Sequence, residues 1–146
     1  VLQKFLRILL KKWLTPLLNL KGWLVLDTEK IVERFALLSS LTLEEASTFT
    51  YICNDAKNEI ISKLLPDTDL TLHSERLIAA AAALSLYRYM QLKALNQTTE
   101  SFSAGDITVK ENMNQAVKIA FDIWLNEKAK IADLLIDNDF VFWRVI

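Results

Sequence analysis

The sequence predicts a mainly α fold: a small helical bundle that carries a short β-hairpin and a C-terminal strand. Three observations lead there. Only two glycines and two prolines punctuate 146 residues, 52% of them hydrophobic, a composition that gives long helices with few turns and argues against disorder. Ser74–Leu95 (SERLIAAAAALSLYRYMQLKAL) has no charged residue between Arg76 and Arg88, so a helix there has no polar face for three turns and must be buried nearly all round. Residues 101–110 and 140–146 instead alternate at strand spacing.

The N-terminal stretch, VLQKFLRILLKKWLTPLLNLKGWLV, begins with an amphipathic helix. Lys4, Arg7 and Lys11 form one stripe, and Leu2, Phe5, Leu6, Leu9 and Trp13 oppose it, up to Pro16. Residues 1–24 hold five basic residues and no acid. They read as a basic amphipathic N-terminal extension, with a helical domain over 25–146. Such a helix suits an anionic membrane surface, a docking arm for another subunit, or an upstream extension the domain does not need. Lys11 and Lys12 interrupt the apolar run, and a small-residue cleavage site is missing, so a signal peptide fits poorly.

Asp27 is placed to N-cap a helix over Thr28–Leu38, with Ile31, Phe35 and Leu38 on its inner face. After a break at Ser39-Ser40, Thr42-Leu43-Glu44-Glu45 is a capping box that starts a helix running to about Leu65. Phe49, Ile52, Cys53, Ala56, Ile60 and Leu64 face inward along it, and Glu59 and Lys63 are spaced as an i,i+4 ion pair. Pro66 stops this helix, and Ser74 caps the central one. Arg76, Arg88 and Lys93 cut the central apolar run below the ~20 residues a bilayer requires. The alanines at 79–83 let other helices approach its backbone closely.

In SFSAGDITVK, Phe102, Ala104, Ile107 and Val109 are spaced for two short strands turning at Gly105-Asp106. A lone two-stranded hairpin is marginal in water, so it has to lean on the bundle or a partner. The last helix runs from about Glu111 to Leu135. Its polar stripe is Gln115, Lys118, Asp122, Asn126, Lys130, Asp133 and Asp137, and Val117, Ala120, Phe121, Trp124, Leu125, Ile131, Ala132 and Leu135 lie opposite. The closing FVFWRVI is β-prone and apolar on both sides, which calls for cover from the hairpin or from a neighbouring chain.

Charge and composition narrow the chemistry. The net charge of −1 divides into +5 over residues 1–24 and −6 beyond, where 12 basic residues face 18 acidic ones. No broad basic surface for nucleic acid follows residue 24. The one cysteine, Cys53, reads as buried filler from a reducing compartment. His73, the one histidine, has neither a second ligand nor a nucleophile nearby in sequence and reads as a cap or loop residue. Gly22 and Gly105 are too far apart for a phosphate loop. Asp67 and Asp69 lack the glycine and glutamate of a calcium loop. The expectation is therefore a non-enzymatic protein with no catalytic residues, no metal and no cofactor.

Residues 41–146 resemble the small head-tail connector, or adaptor, proteins of tailed bacteriophages and prophages. The resemblance rests on LTLEEA opening a helix, the alanine-rich RLIAAAAALSLYRYM, the turn segment SFSAGDITV, and a long helix closing on LLIDNDFVFWRV. It implies a virion structural protein, made in the bacterial host cytoplasm, that forms a homo-oligomeric ring at the head-tail junction. Its partners would be the phage portal protein and a head-completion or tail protein. DNA would pass through the channel without sequence-specific binding, for which a core of charge −6 is suitable. Loops and terminal segments make most of the joints in that family. The matching positions here are Phe102, Ser103, Ala104, Gly105, Asp106, Ile107 and Val109, together with Phe140, Val141, Phe142, Trp143, Arg144, Val145 and Ile146.

A membrane-surface protein bound through residues 1–24 is the alternative. A small enzyme or ligand-binding bundle with Trp124, Tyr87 and Tyr89 as pocket walls has less behind it, because aromatics at helical spacing are usually core. The ring reading carries a physical expectation of its own: the central helix and the aromatic tail bury more surface than one copy of the chain covers, so self-association completes the fold.

Overall fold

The computed structural model describes residues 1–12, 26–100 and 106–136. They form α1 (2–12), α2 (Thr28–Ser39), α3 (Leu43–Ser47), α4 (Thr50–Ser62), α5 (Ser74–Glu100), α6 (Asp106–Lys130) and a final 3₁₀ turn over Ala132–Leu134. The expected mainly α architecture is present, and no strand occurs among the described residues. The stop expected at Pro16 lies outside them, as does the C-terminal strand over 140–146.

α5 is the axis. It packs against α2, α4 and α6, and every residue from Leu77 to Leu86 is buried, with Ala80 to Ser85 at zero exposure. This overturns the expectation that copies of the chain are needed to cover the central helix. The physical reason lies in the alanine run: with side chains this small the helix is thin, so three close neighbours enclose it. Ser85, a fully buried polar side chain in this run, donates to the Ala81 carbonyl at 2.7 Å.

The sequence signals at the start of the bundle act as read. Asp27 accepts from the Glu29 amide at 2.9 Å and caps α2. α2 ends on Ser40, whose left-handed backbone (φ 58°) turns the chain toward α3. The Thr42 hydroxyl accepts from the Glu45 amide, and the Glu45 carboxylate accepts from the Thr42 amide at 2.9 Å, completing the capping box. The helix it opens is broken, however. Ser47, Thr48 and Thr50 each donate to the carbonyl three residues back, at 2.6–2.7 Å. The amides of Thr48 and Phe49 also bond three residues back. That tightened turn rotates Phe49 inward, where its ring meets Phe35 (6.5 Å) and Tyr89 (4.8 Å), with Phe35 and Tyr89 5.5 Å apart edge-to-face.

Two expectations about the α5–α6 connection are corrected. α5 continues through the expected break at residues 96–100. The hairpin is replaced by helix: Asp106, Ile107 and Val109 lie in the first turn of α6, while Phe102, Ser103, Ala104 and Gly105 are outside the described residues. The β-branched residues 107–109 lower helix propensity by only a few tenths of a kcal/mol each, less than the cost of nucleating a separate element. α6 pairs with α5, and the Tyr87 and Phe121 rings meet at 5.2 Å, tilted by 50°. α6 also stops earlier than expected, at Lys130. Ile131, Leu134 and Leu135 remain buried, but Ala132 and Leu125, expected on the inner face, are exposed. Leu38 of α2 is exposed in the same way.

The end of the described chain is tied back to α4. The Leu65 amide donates to the Leu134 carbonyl at 2.8 Å and the Ile136 amide to the Lys63 carbonyl at 2.9 Å, an isolated bridge around Leu64 and Leu135.

Enlarging the alanine run should be costly. Ala82→Leu is expected to destabilise the chain by about 1–3 kcal/mol, and Phe35→Ala by about 3–5 kcal/mol, read from urea midpoints. An Ala82→Leu chain as stable as the parent would show that the helices around α5 are not closely packed.

Candidate functional site

The described residues hold few polar clusters, and each of them has a structural task. Arg76 of α5 donates to Asp133 at 3.0 Å, to the Lys130 carbonyl at 2.9 Å, and to Nδ1 of His73 at 2.8 Å. It thereby ties the loop before α5 to the turn after α6. The sequence's one histidine thus accepts from a guanidinium and faces no nucleophile. Arg88 of α5 pairs with Glu59 of α4, so Glu59 is engaged across the bundle rather than only along its own helix as the spacing suggested. Cys53 is fully buried, and burial pushes its thiol up from the ordinary cysteine range against a smaller opposing effect of its bond to Ser85. A thiol held protonated in the core is a poor nucleophile.

Lys57 is the unexpected member. It is buried on α4, and its ammonium donates to the Thr28 hydroxyl at 2.7 Å, which in turn donates to Asn54 Oδ1 at 3.1 Å. Its helical position placed it next to the inward Ala56, but nothing in the sequence revealed that Thr28 would supply an acceptor. This short chain of bonds stitches the start of α2 to α4.

Beside it lies a cleft of about 510 Å³ between α2, α3 and α4. Thr28, Glu29, Val32 and Glu33 line one wall, Leu43 and Ser47 another, and Thr50 and Asn54 the third. Val32 is buried at its base, and Leu43 is more than half exposed. No ion pair engages Glu29 or Glu33 among the described residues. The cleft contains two carboxylates and hydroxyl groups, with no histidine or thiol. No group of three or more His, Cys, Asp or Glu side chains that could hold a metal occurs among the described residues.

Among the described residues, α1 carries the longest run of exposed apolar side chains. All eleven of its described residues are exposed, and Leu2 and Phe5 are 79% and 66% so. None of its leucines joins the core. Leu43, Tyr51, Leu72, Leu95, Ile119, Leu125 and Ile136 add scattered apolar exposure on the bundle. No helix among the described residues is long and apolar enough to cross a membrane.

Of the interface residues expected from sequence, Asp106, Ile107 and Val109 are placed in α6. Phe102, Ser103, Ala104, Gly105 and Phe140, Val141, Phe142, Trp143, Arg144, Val145 and Ile146 lie outside the described residues. The exposed cleft was missed. Its one legible sign was the i,i+4 pair of carboxylates Glu29 and Glu33. No family model, no curated protein and no solved structure matches the chain.

The hydrogen bond from Arg76 holds the Asp133 carboxyl below the usual carboxylate range. A depressed folded-state value contributes stability above the unfolded pKa, near ~3.9, and loses it as pH falls through the folded value. Arg76→Met is therefore expected to flatten the acid limb of the stability curve below about pH 4, measured as urea midpoint against pH. Glu45 is lowered chiefly by the Thr42 amide. Thr42→Ala should cost about 1 kcal/mol through loss of the cap; it removes the smaller contribution of the Thr42 hydroxyl and keeps the amide, so the Glu45 titration, followed by NMR, should move only part of the way back to its ordinary value.

Proposed function

We propose that this chain is a non-enzymatic structural protein of a tailed-phage virion, a head-tail adaptor. In this reading it forms a ring between the portal and the head-completion or tail proteins. The observation that carries it is the likeness of residues 41–146 to such adaptors in order and texture. Of the features that make up that likeness, the capping box at Thr42, the alanine-rich helix and the long closing helix are structural elements of the bundle, whereas residues 106–109 of the turn segment are helical. The acidic balance beyond residue 24 suits a channel that DNA slides through rather than binds. With α5 covered by its own chain, the drive for association comes from surface residues. The joints are assigned to residues 102–107, Val109 and residues 140–146.

Light scattering and negative-stain microscopy test this. A closed ring that binds purified portal rings is expected, and Phe142→Ser with Trp143→Ser should weaken ring formation or portal binding. A chain that stays monomeric at high concentration and ignores the portal overturns the reading.

The exposure of α1 favours a second reading, a protein that lies on a membrane surface through this helix. An amphipathic helix with Lys and Arg on one side and Leu and Phe on the other binds anionic bilayers through buried apolar area and electrostatic attraction. The expected result is flotation with phosphatidylglycerol vesicles and none with neutral ones. Flotation unchanged by Leu6→Asp and Leu9→Asp would remove this reading.

A further inference from the structure

We infer that the acidic cleft between α2, α3 and α4 is the seat for α1 of a second copy of this chain, which makes the contact head-to-tail. The inference rests on the ring reading and specifies how one subunit grips the next.

The argument is one of matched chemistry. α1 presents Lys4 and Arg7 one turn apart, beside an apolar face that is wholly exposed. The cleft presents Glu29 and Glu33, also one turn apart, beside buried Val32 and the exposed side chain of Leu43. Residues three or four apart on a helix lie ~5–6 Å from one another, so the two cations and two carboxylates share a spacing when the helices lie side by side. Leucines flanking the cations would then cover Val32 and Leu43. Complementary charge of this kind fixes register and partner more than it adds raw affinity.

The chain's own fold argues for a second copy as occupant. Helix and cleft belong to the same molecule, yet each stands open, with α1 outside the core and both carboxylates without an ion pair among the described residues. Because α1 and the cleft are different surfaces, each subunit can give a helix to one neighbour and take one from the other. A heterologous contact of this sort closes into a ring where the rotation allows.

The experiment uses the full chain and reads the concentration at half-assembly by light scattering. Glu29→Lys with Glu33→Lys is expected to raise it about tenfold or more, as is Lys4→Glu with Arg7→Glu, and combining all four should restore assembly substantially. All four residues are exposed, so circular dichroism should show an unchanged fold. In parallel, Leu6→Cys with Leu43→Cys under mild oxidation should give a ladder of covalent dimers and higher species. A faster-migrating monomer alone would mean that α1 folds onto its own cleft and would overturn the inference. Rings that assemble equally well in all charge variants would overturn it too, while leaving the adaptor reading intact. A parent chain that never assembles overturns the inference, and it defeats the adaptor reading as well when it also ignores portal rings. Flotation of α1 on phosphatidylglycerol vesicles, unaffected by the cleft substitutions and without assembly, assigns the helix to lipid and overturns the inference.

Discussion

The structure depends on enclosing one thin helix. α5 has no polar face between Arg76 and Arg88, and its five alanines leave the backbone close to its neighbours, so α2, α4 and α6 are placed by the need to keep water from it. α2 and α4 cover part of its circumference, and α6 runs alongside to complete the enclosure. The aromatic group of Phe35, Phe49 and Tyr89 fills the space where α5 grows larger side chains. Polar ties are confined to the margins: Arg76 at one end of the bundle, Arg88 toward the other, and Lys57 where α2 begins.

That enclosure changes where association can originate. A core satisfied within one copy leaves the surface to determine partners, and the surface is uneven. The bundle carries isolated leucines of the kind any soluble domain tolerates, whereas α1 exposes a continuous apolar face next to a basic stripe. Across the molecule's charge division, a +5 segment precedes a −6 body that holds an open cleft with two carboxylates. Electrostatics at such surfaces is screened beyond roughly a Debye length, so contact between the two halves of this asymmetry depends on close docking rather than on long-range attraction.

Local chemistry made several elements legible in advance. Asp27 and the Thr42–Glu45 box cap their helices because these side chains satisfy amides within three residues of themselves, and no tertiary contact is needed for that. The inward set of Ile52, Cys53, Ala56, Ile60 and Leu64 followed from helical period alone, as did Ala120, Trp124 and Ile131. Residues 106–110 were misread because Ile107 and Val109 fit a two-residue alternation and a helical turn equally well over so short a span. The break at Thr48 was missed because its hydroxyl bonds compete with helix only when Phe49 has an aromatic pocket to enter. The cleft was invisible for a related reason: its walls come from three helices, and no window of sequence contains them all.

The sequence by itself determined that this chain is helical, that Ser74–Leu95 lies at its centre, where the caps of α2 and α3 fall, and that charge divides near residue 24. These are consequences of propensity, period and near-neighbour hydrogen bonding, all of which act within a few turns. Only the tertiary structure decided that one copy suffices to bury α5, that Lys57 meets Thr28, and that Glu29 and Glu33 border an open cleft. Such outcomes depend on how closely helices approach and at what angle, and that is set by side-chain volumes from distant parts of the chain meeting in space.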